Sequence, residues 1–162
     1  MTAATPPLTG GCQCGAVRFR AGVLGRPSIC HCRMCQKAFG AFYGPLVTGH
    51  DVVWTRGSPK RFRSSNKISR GFCGDCGTPL TYEYEGGIEL AIGAFDDPAV
   101  AAPVVQVNPA DKLPFVDTLA DLPWRDDAAE PAGAAFMADI VSHQHPDHDT
   151  PAWPPAGGHH DG

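Results

Sequence analysis

Residues 71–92 read GFCGDCGTPLTYEYEGGIELAI, and this stretch decides the fold. A C-x-x-C pair, Cys73 and Cys76, leads into two runs of alternating apolar residues, Leu80 to Tyr84 and Ile88 to Ile92, with Glu85-Gly86-Gly87 between them. Alternation with period two puts successive side chains on opposite faces of a strand, and a short Gly-bearing link folds two such runs into a hairpin. Gly74 and Gly77 allow the tight bend that turns the two sulfurs toward one point. An antiparallel sheet therefore starts beside a pair of thiols.

Outward from this hairpin the same signals recur. In Ala16-Val17-Arg18-Phe19-Arg20, Val17 and Phe19 share one face and the arginines the other, as in a half-buried strand. Tyr43 to Thr48 and Val52 to Thr55 are further strands, bounded by Gly, Pro or Asp. With 19 Gly and 16 Pro in 162 residues, turns are frequent and long helices are disfavoured, which argues against a helical bundle. No βαβ pattern and no repeat beyond the cysteine pairs is found. The length suits one compact unit, placed at residues 9–125.

Charge divides the chain. Residues 1–125 hold all 13 Lys and Arg against 10 acids, a balance of +3, whereas residues 126–162 hold 7 acids and no base. This second part is acidic and rich in His, Pro and Ala, with few large apolar residues, and is expected to be a disordered tail. Ala134 to Val141 has the makings of a turn or two of helix. Five of the 7 His lie in the tail, at His143, His145, His148, His159 and His160, where incidental metal affinity is expected without fixed geometry. No apolar run approaches the length of a membrane span, and the opening MTAATPPLTGG lacks a basic region and an apolar signal core. The expected location is cytoplasmic, with no membrane partner.

All 7 cysteines fall into three groups: Cys12 and Cys14; Cys30, Cys32 and Cys35; Cys73 and Cys76. An odd count leaves a thiol over from any full disulfide set, and reduced thiols at C-x-C and C-x-x-C spacing suit zinc, which takes four tetrahedral ligands when structural and three when a position is kept open for chemistry. The simplest division pairs Cys12 and Cys14 with Cys73 and Cys76 in a closed site and leaves Cys30, Cys32 and Cys35 as an open one. Spacing alone leaves the pairing undecided, and His31 or His50 could close the trio. Two Zn2+ ions with seven thiolates carry −3, which cancels the +3 of residues 1–125 and leaves a near-neutral core. Arg56, Lys60, Arg61, Arg63, Lys67 and Arg70 crowd one short stretch, with Arg33 and Lys37 beside the trio. They read either as a solvated flank or as a patch that recruits anions.

The segments GGCQCGAVRF, CHCRMCQKAFGAFYG, RGFCGDCGTPL and IGAFDDP, with the closing KLPFVDTLADLP, resemble the glutathione-dependent formaldehyde-activating enzyme (CENP-V/GFA domain) family over about Thr9 to Trp124. The resemblance implies a mainly β fold of Mss4-like, zinc-stapled antiparallel sheets with long loops, carrying two zinc ions. By it, Cys12, Cys14, Cys73 and Cys76 match the structural zinc ligands, and Cys30, Cys32 and Cys35 the catalytic ones. It further implies a carbon-sulfur lyase that joins formaldehyde to glutathione as S-hydroxymethylglutathione, so the expected partners are a small thiol and a small aldehyde. The sequence departs from the family pattern at Gln106 and Phe115, which stand where a His and a Trp are common.

On this reading a zinc held by Cys30, Cys32 and Cys35 uses its fourth position to bind a thiol as thiolate or to polarise an aldehyde oxygen. Arg33, Lys37 or a base from 56–70 would receive the thiol's carboxylates, and Phe39, Phe42, Tyr43 and Trp54 would wall the pocket. The alternative is a non-catalytic zinc module that binds a protein or nucleic acid through the basic stretch. A near-neutral core and an acidic tail argue against nucleic acid. A thiol redox protein using C-x-x-C is the third reading.

Overall fold

The computed structural model describes residues 8–154. His159 and His160 lie outside them, as does most of the opening segment. Ten strands are present: β1 (Thr9–Gly11), β2 (Arg18–Arg20), β3 (Val23–Cys30), β4 (Gly44–His50), β5 (Val53–Arg56), β6 (Lys60–Arg63), β7 (Ser69–Phe72), β8 (Pro79–Tyr84), β9 (Gly87–Ala91) and β10 (Val105–Val107). Two short helices, α1 (Arg33–Phe39) and α2 (Pro131–Ala138), and several 3-10 turns complete the elements among the described residues. A three-stranded sheet runs β1-β2-β5, and a seven-stranded sheet runs β10-β3-β4-β9-β8-β7-β6.

The hairpin at the centre of the sequence argument is β8–β9, with Tyr84 opposite Gly87 and Gly86 at φ 79° in the turn, a left-handed position that glycine takes without strain. Pairing is antiparallel except at one place. β10 lies parallel to β3, with Val107 opposite Cys30, and closes the large sheet on the side of the sulfur trio. Strand alternation gave no sign of it, because three residues are too few to show a period.

Both sheets share one core. Phe19 of β2 is fully buried and stands edge-on to Trp54 of β5 at 6.0 Å and to Phe95 at 5.1 Å. Val47, Leu80 and Leu90 of the large sheet pack into the same cluster. Gly10 is required where β1 crosses the 3-10 turn Ile92–Ala94, since a Cβ there would lie 2.3 Å from the Ala94 carbonyl oxygen. Arg18, expected on the solvent face, is instead buried: its guanidinium forms two bonds to Asp96, at 2.7 and 2.6 Å, and two more to Asp149, at 2.9 and 2.7 Å. Asp96 also accepts from the Thr9 hydroxyl, so this ion pair ties β1, β2 and the IGAFDDP segment together. Burial alone would raise the Asp96 carboxyl, but Arg18 and Thr9 outweigh it and hold the group below the usual carboxylate range.

The described part of the C-terminal segment divides in two. Residues 126–142 include α2 and are exposed apart from half-buried Gly133 and Ala134. Residues 145–153 lie along the Cys12–Gly15 turn. There His145 is buried and its N–H bonds to the Gln13 carbonyl, Arg56 donates to the Thr150 carbonyl, and Trp153 Nε1 donates to the Cys14 carbonyl. Among the described residues no helix is long and apolar enough to cross a membrane.

Candidate functional site

The structure gathers the cysteines into two groups. Cys12, Cys14, Cys73 and Cys76 form one and Cys30, Cys32 and Cys35 the other, each with its sulfurs within 4.8 Å of one another. None is in a disulfide.

The four-sulfur group is built from two glycine-ended turns. After Cys12 the chain bends so that Gly15 N–H bonds to the Cys12 carbonyl, with Gly15 at φ 83°; after Cys73, Gly77 N–H bonds to the Cys73 carbonyl, with Gly77 at φ 77°. The C-x-C is thus a turn, because the chain must reverse between β1 and β2. Gln13 N–H bonds to Thr78 Oγ1 at 2.9 Å and joins the two turns. Sulfur separations of 3.5 Å for Cys12–Cys14 and 3.8 Å for Cys14–Cys73 approach the roughly 3.8 Å edge of a tetrahedron with Zn–S bonds of about 2.3 Å. Backbone N–H groups of Val17 and Asp75 point at Cys12 and Cys73 sulfurs, and Thr78 Oγ1 lies 3.1 Å from Cys76 Sγ. Burial opposes ionisation of Cys76, yet the bonds from Thr78 and the backbone outweigh it and hold its thiol below the usual range.

The trio is made where β3 ends and α1 begins. Cys30 is the last residue of β3, Cys32 caps α1 by accepting the Cys35 N–H at 3.4 Å, and Cys35 lies fully buried in its first turn. A sulfur here takes the part that Ser or Asp usually plays at a helix N-cap. A bond from Cys35 and then one from Asn108 outweigh burial and hold the Cys30 thiol below its usual range, while the same bond and burial raise Cys35.

Neither His31 nor His50 joins this group. His31 is buried and its Nε2 lies 2.8 Å from Gln106 Oε1, across the β3–β10 pair; the ring also stands edge-on to Tyr43. The departure at Gln106 is therefore accommodated by a histidine directly after the neighbouring strand. Phe115, the other departure, packs edge-on against Phe42 at 5.0 Å. His143, His145 and His148 enter no metal-ligand group among the described residues.

A cavity of about 520 Å³ opens at the trio, lined by all three cysteines and by Arg26, Arg70, Tyr82 and Glu89 among others. The aromatics expected to wall it do not: Phe39, Phe42, Tyr43 and Trp54 are absent from its lining, and Trp54 is core. Of the bases expected to receive an anion, Arg33 and Lys37 flank an adjoining hollow of about 380 Å³ and only Arg70 of the 56–70 stretch reaches the cavity. Arg56 is engaged by Gly15 and Thr150, Arg61 by Glu83, and Arg63 by the Asn66 carbonyl. Sequence reasoning missed Arg26, Glu89 and Asn108; for Asn108 the one signal was an Asn-Pro turn after a short β-branched run.

Seven sulfurs in two groups, one of four and one of three beside a cavity, are a donor set that could hold two zinc ions. Comparison with known proteins agrees. The chain is 31% identical to a Schizosaccharomyces pombe protein described as an uncharacterized lyase, across 51% of this chain and 61% of that protein, so the match spans under two thirds of the relative's length. The family model of the glutathione-dependent formaldehyde-activating enzyme matches residues 7–110, a stretch that holds every cysteine and the lining of the trio's cavity, and the chain belongs to that family.

Proposed function

We propose that the protein is a zinc-dependent carbon-sulfur lyase that joins a small thiol, glutathione or a similar one, to formaldehyde or another small aldehyde at the Cys30–Cys32–Cys35 cavity. The observation that carries this reading is the contrast in ligand number: four sulfurs close one group, whereas three face a cavity and no fourth protein ligand joins them among the described residues. Cys12, Cys14, Cys73 and Cys76 would hold the structural ion, and Cys30, Cys32 and Cys35 the catalytic one. The ion in the trio would supply a position at which a thiol binds as thiolate beside its aldehyde partner.

The remaining work falls to the chain. Addition forms one C–S bond at the carbonyl carbon, moves the C=O π pair onto oxygen, and leaves the thiol proton on that oxygen; no oxidant or reductant is needed. The cavity orients the two partners, which is where most of the rate advantage of a two-substrate addition lies. Arg26, exposed at its edge, can pair with a carboxylate of the thiol, and Ser28 and Thr48 offer hydroxyls inside. The non-catalytic alternative loses support, since Arg56, Arg61, Arg63 and Arg70 are engaged within the fold.

Because the addition proceeds without an enzyme, the test is excess over background. Exchange NMR on a mixture of formaldehyde and glutathione should show faster exchange with the wild-type protein than with Cys32→Ser at equal fold content. Equal rates would overturn the reading for this pair of substrates.

A further inference from the structure

Each sulfur of the trio meets an N–H, and two of these donors are side chains remote in sequence. Cys32 takes the backbone N–H of Cys35 within the helix cap. Cys30 Sγ accepts from Asn108 Nδ2 at 3.1 Å, and Cys35 Sγ accepts from Arg70 Nη2 at 3.4 Å.

Both side chains are held in place for these contacts. Asn108 adopts φ 57° and ψ 61°, a left-handed conformation uncommon for a residue with a Cβ, directly after β10, which pairs with β3 so that Val107 faces Cys30. The strand pairing and the turn after it thus deliver one amide to one sulfur. Arg70 is buried at 6% exposure, donates from Nε to Ser64 Oγ, and lies 5.0 Å over the Tyr82 ring. Its Nη1 has no hydrogen-bond partner, and among the described residues no carboxylate forms an ion pair with it. A guanidinium remains charged when buried, and a buried charge needs a counter-charge nearby. The group in contact with it that can supply one is the sulfur trio.

We propose that Arg70 and Asn108 are positioning residues for the trio: their N–H groups draw charge from the Cys35 and Cys30 sulfurs, and Arg70 offsets the surplus negative charge of three thiolates around a divalent ion. This rests on the trio being a metal site, as in the proposed function. Three thiolates and a divalent ion would carry −1, which opposes the approach of a fourth thiolate; Arg70 at Cys35 would offset that charge, and of the other charged groups lining the cavity Arg26 balances Glu89, so an anionic thiol partner would enter without net repulsion. Among the described residues the four-sulfur group has no such device, since the donors found on its sulfurs are backbone N–H groups and the Thr78 hydroxyl. A site that admits no further anion does not need one.

Cobalt reports on this directly. In full-length protein loaded with two Co2+ ions, the thiolate-to-cobalt charge-transfer bands move to lower energy as the sulfurs become richer in electrons. Asn108→Gly removes the amide while suiting the left-handed backbone, Arg70→Met removes the charge at similar length, and Arg70→Lys keeps the charge without the fork. Asn108→Gly and Arg70→Met should each shift the bands of one ion to lower energy and weaken that ion's binding by about 10-fold or more, with Arg70→Lys between wild type and Arg70→Met. The bands that remain in Cys32→Ser, from the four-sulfur group, should not respond to a superposed Asn108→Gly. Variants that bind two ions, keep the wild-type near-UV circular dichroism and show unchanged bands and affinity would overturn the proposal. Should Arg70→Met fail to fold, Asn108→Gly decides it alone. One cobalt ion per wild-type chain would overturn this proposal together with the function on which it rests, whereas two ions with unchanged bands overturn only this one.

Discussion

The two sulfur groups use the same ligand and nearly the same spacing, yet they are built in different ways. The group of Cys12, Cys14, Cys73 and Cys76 sits on two glycine-ended turns, with sulfur partners drawn from within five residues of each cysteine. The trio sits at a strand end and a helix cap, and its outer partners, Asn108 and Arg70, come from 78 and 35 residues away. A site made of two local turns needs only that those turns meet, as Gln13 and Thr78 make them do, and can act as a staple. A site whose surroundings come from β7, β10 and α1 exists only once the large sheet has formed, and so can be shaped for a ligand.

The largest expected effect tests that difference. Structural zinc contributes roughly 10 to 16 kcal/mol of apparent free energy, which matches or exceeds the total stability of about 5 to 15 kcal/mol typical of a domain. Cys73→Ser, or complete removal of zinc by a chelator, should therefore unfold the protein, seen as loss of near-UV circular dichroism and of a cooperative melt. Cys32→Ser should bind one ion in place of two and still melt cooperatively. If the zinc-free protein kept its melting temperature, the four-sulfur group would not be a staple.

The next effect compares two partners of one arginine. Arg18 is buried against Asp96, also nearly buried, whereas Asp149 is half exposed. Removing one side of a buried pair strands the other charge, so Arg18→Met should cost about 3 to 5 kcal/mol, while Asp149→Asn should cost about 1 kcal/mol or less in denaturant melts. The same pair sets an acid dependence. Asp96 in the folded state is held below the unfolded carboxylate value of about 3.9, so its contribution is full above that pH and is lost as the pH falls through the lowered folded value. The stability gap between wild type and Asp96→Asn should accordingly shrink as the pH drops from about 5 to 3, a difference in which acid release of zinc is common to both proteins. A constant gap would mean that Asp96 gains nothing from its charge.

What could be read from the sequence follows the same local-versus-remote line. The β8–β9 hairpin and the grouping of cysteines were legible because alternation and short spacing act within a few residues. β3 was not, since Pro27 and Gly25 interrupt its pattern and only its pairing with β4, shifted between Leu24 and Pro27, makes it a strand. The cavity lining was not legible because proximity in sequence to the trio is not proximity in space: Phe42 and Tyr43 follow α1 but turn to Phe115 and His31. Asn108 and Glu89 could not be found by spacing, as they reach the site through strand register. Arg18 looked exposed by alternation because its partners, Asp96 and Asp149, lie 78 and 131 residues on.

The smallest effect concerns residues 145–153, whose anchors are polar and so left no trace in the hydropathy. They cover one face of the Cys12–Gly15 turn: the His145 ring sits where a Cβ on Gly15 would come within 2.2 Å, and Trp153 Nε1 donates to the Cys14 carbonyl at 2.9 Å. Trp153→Phe keeps an aromatic ring and deletes that bond. One such hydrogen bond is worth about 0.5 to 1.5 kcal/mol, so global stability should fall by no more than that. The loss falls on the turn that carries Cys14, so zinc should leave the four-sulfur group severalfold faster in a chelator-competition assay, while release from the trio, at the end of β3, keeps its wild-type rate. Equal acceleration at both groups would show that the segment steadies the whole fold and not the staple alone, and no acceleration at either would show that the contact holds the segment without protecting the ion beneath it.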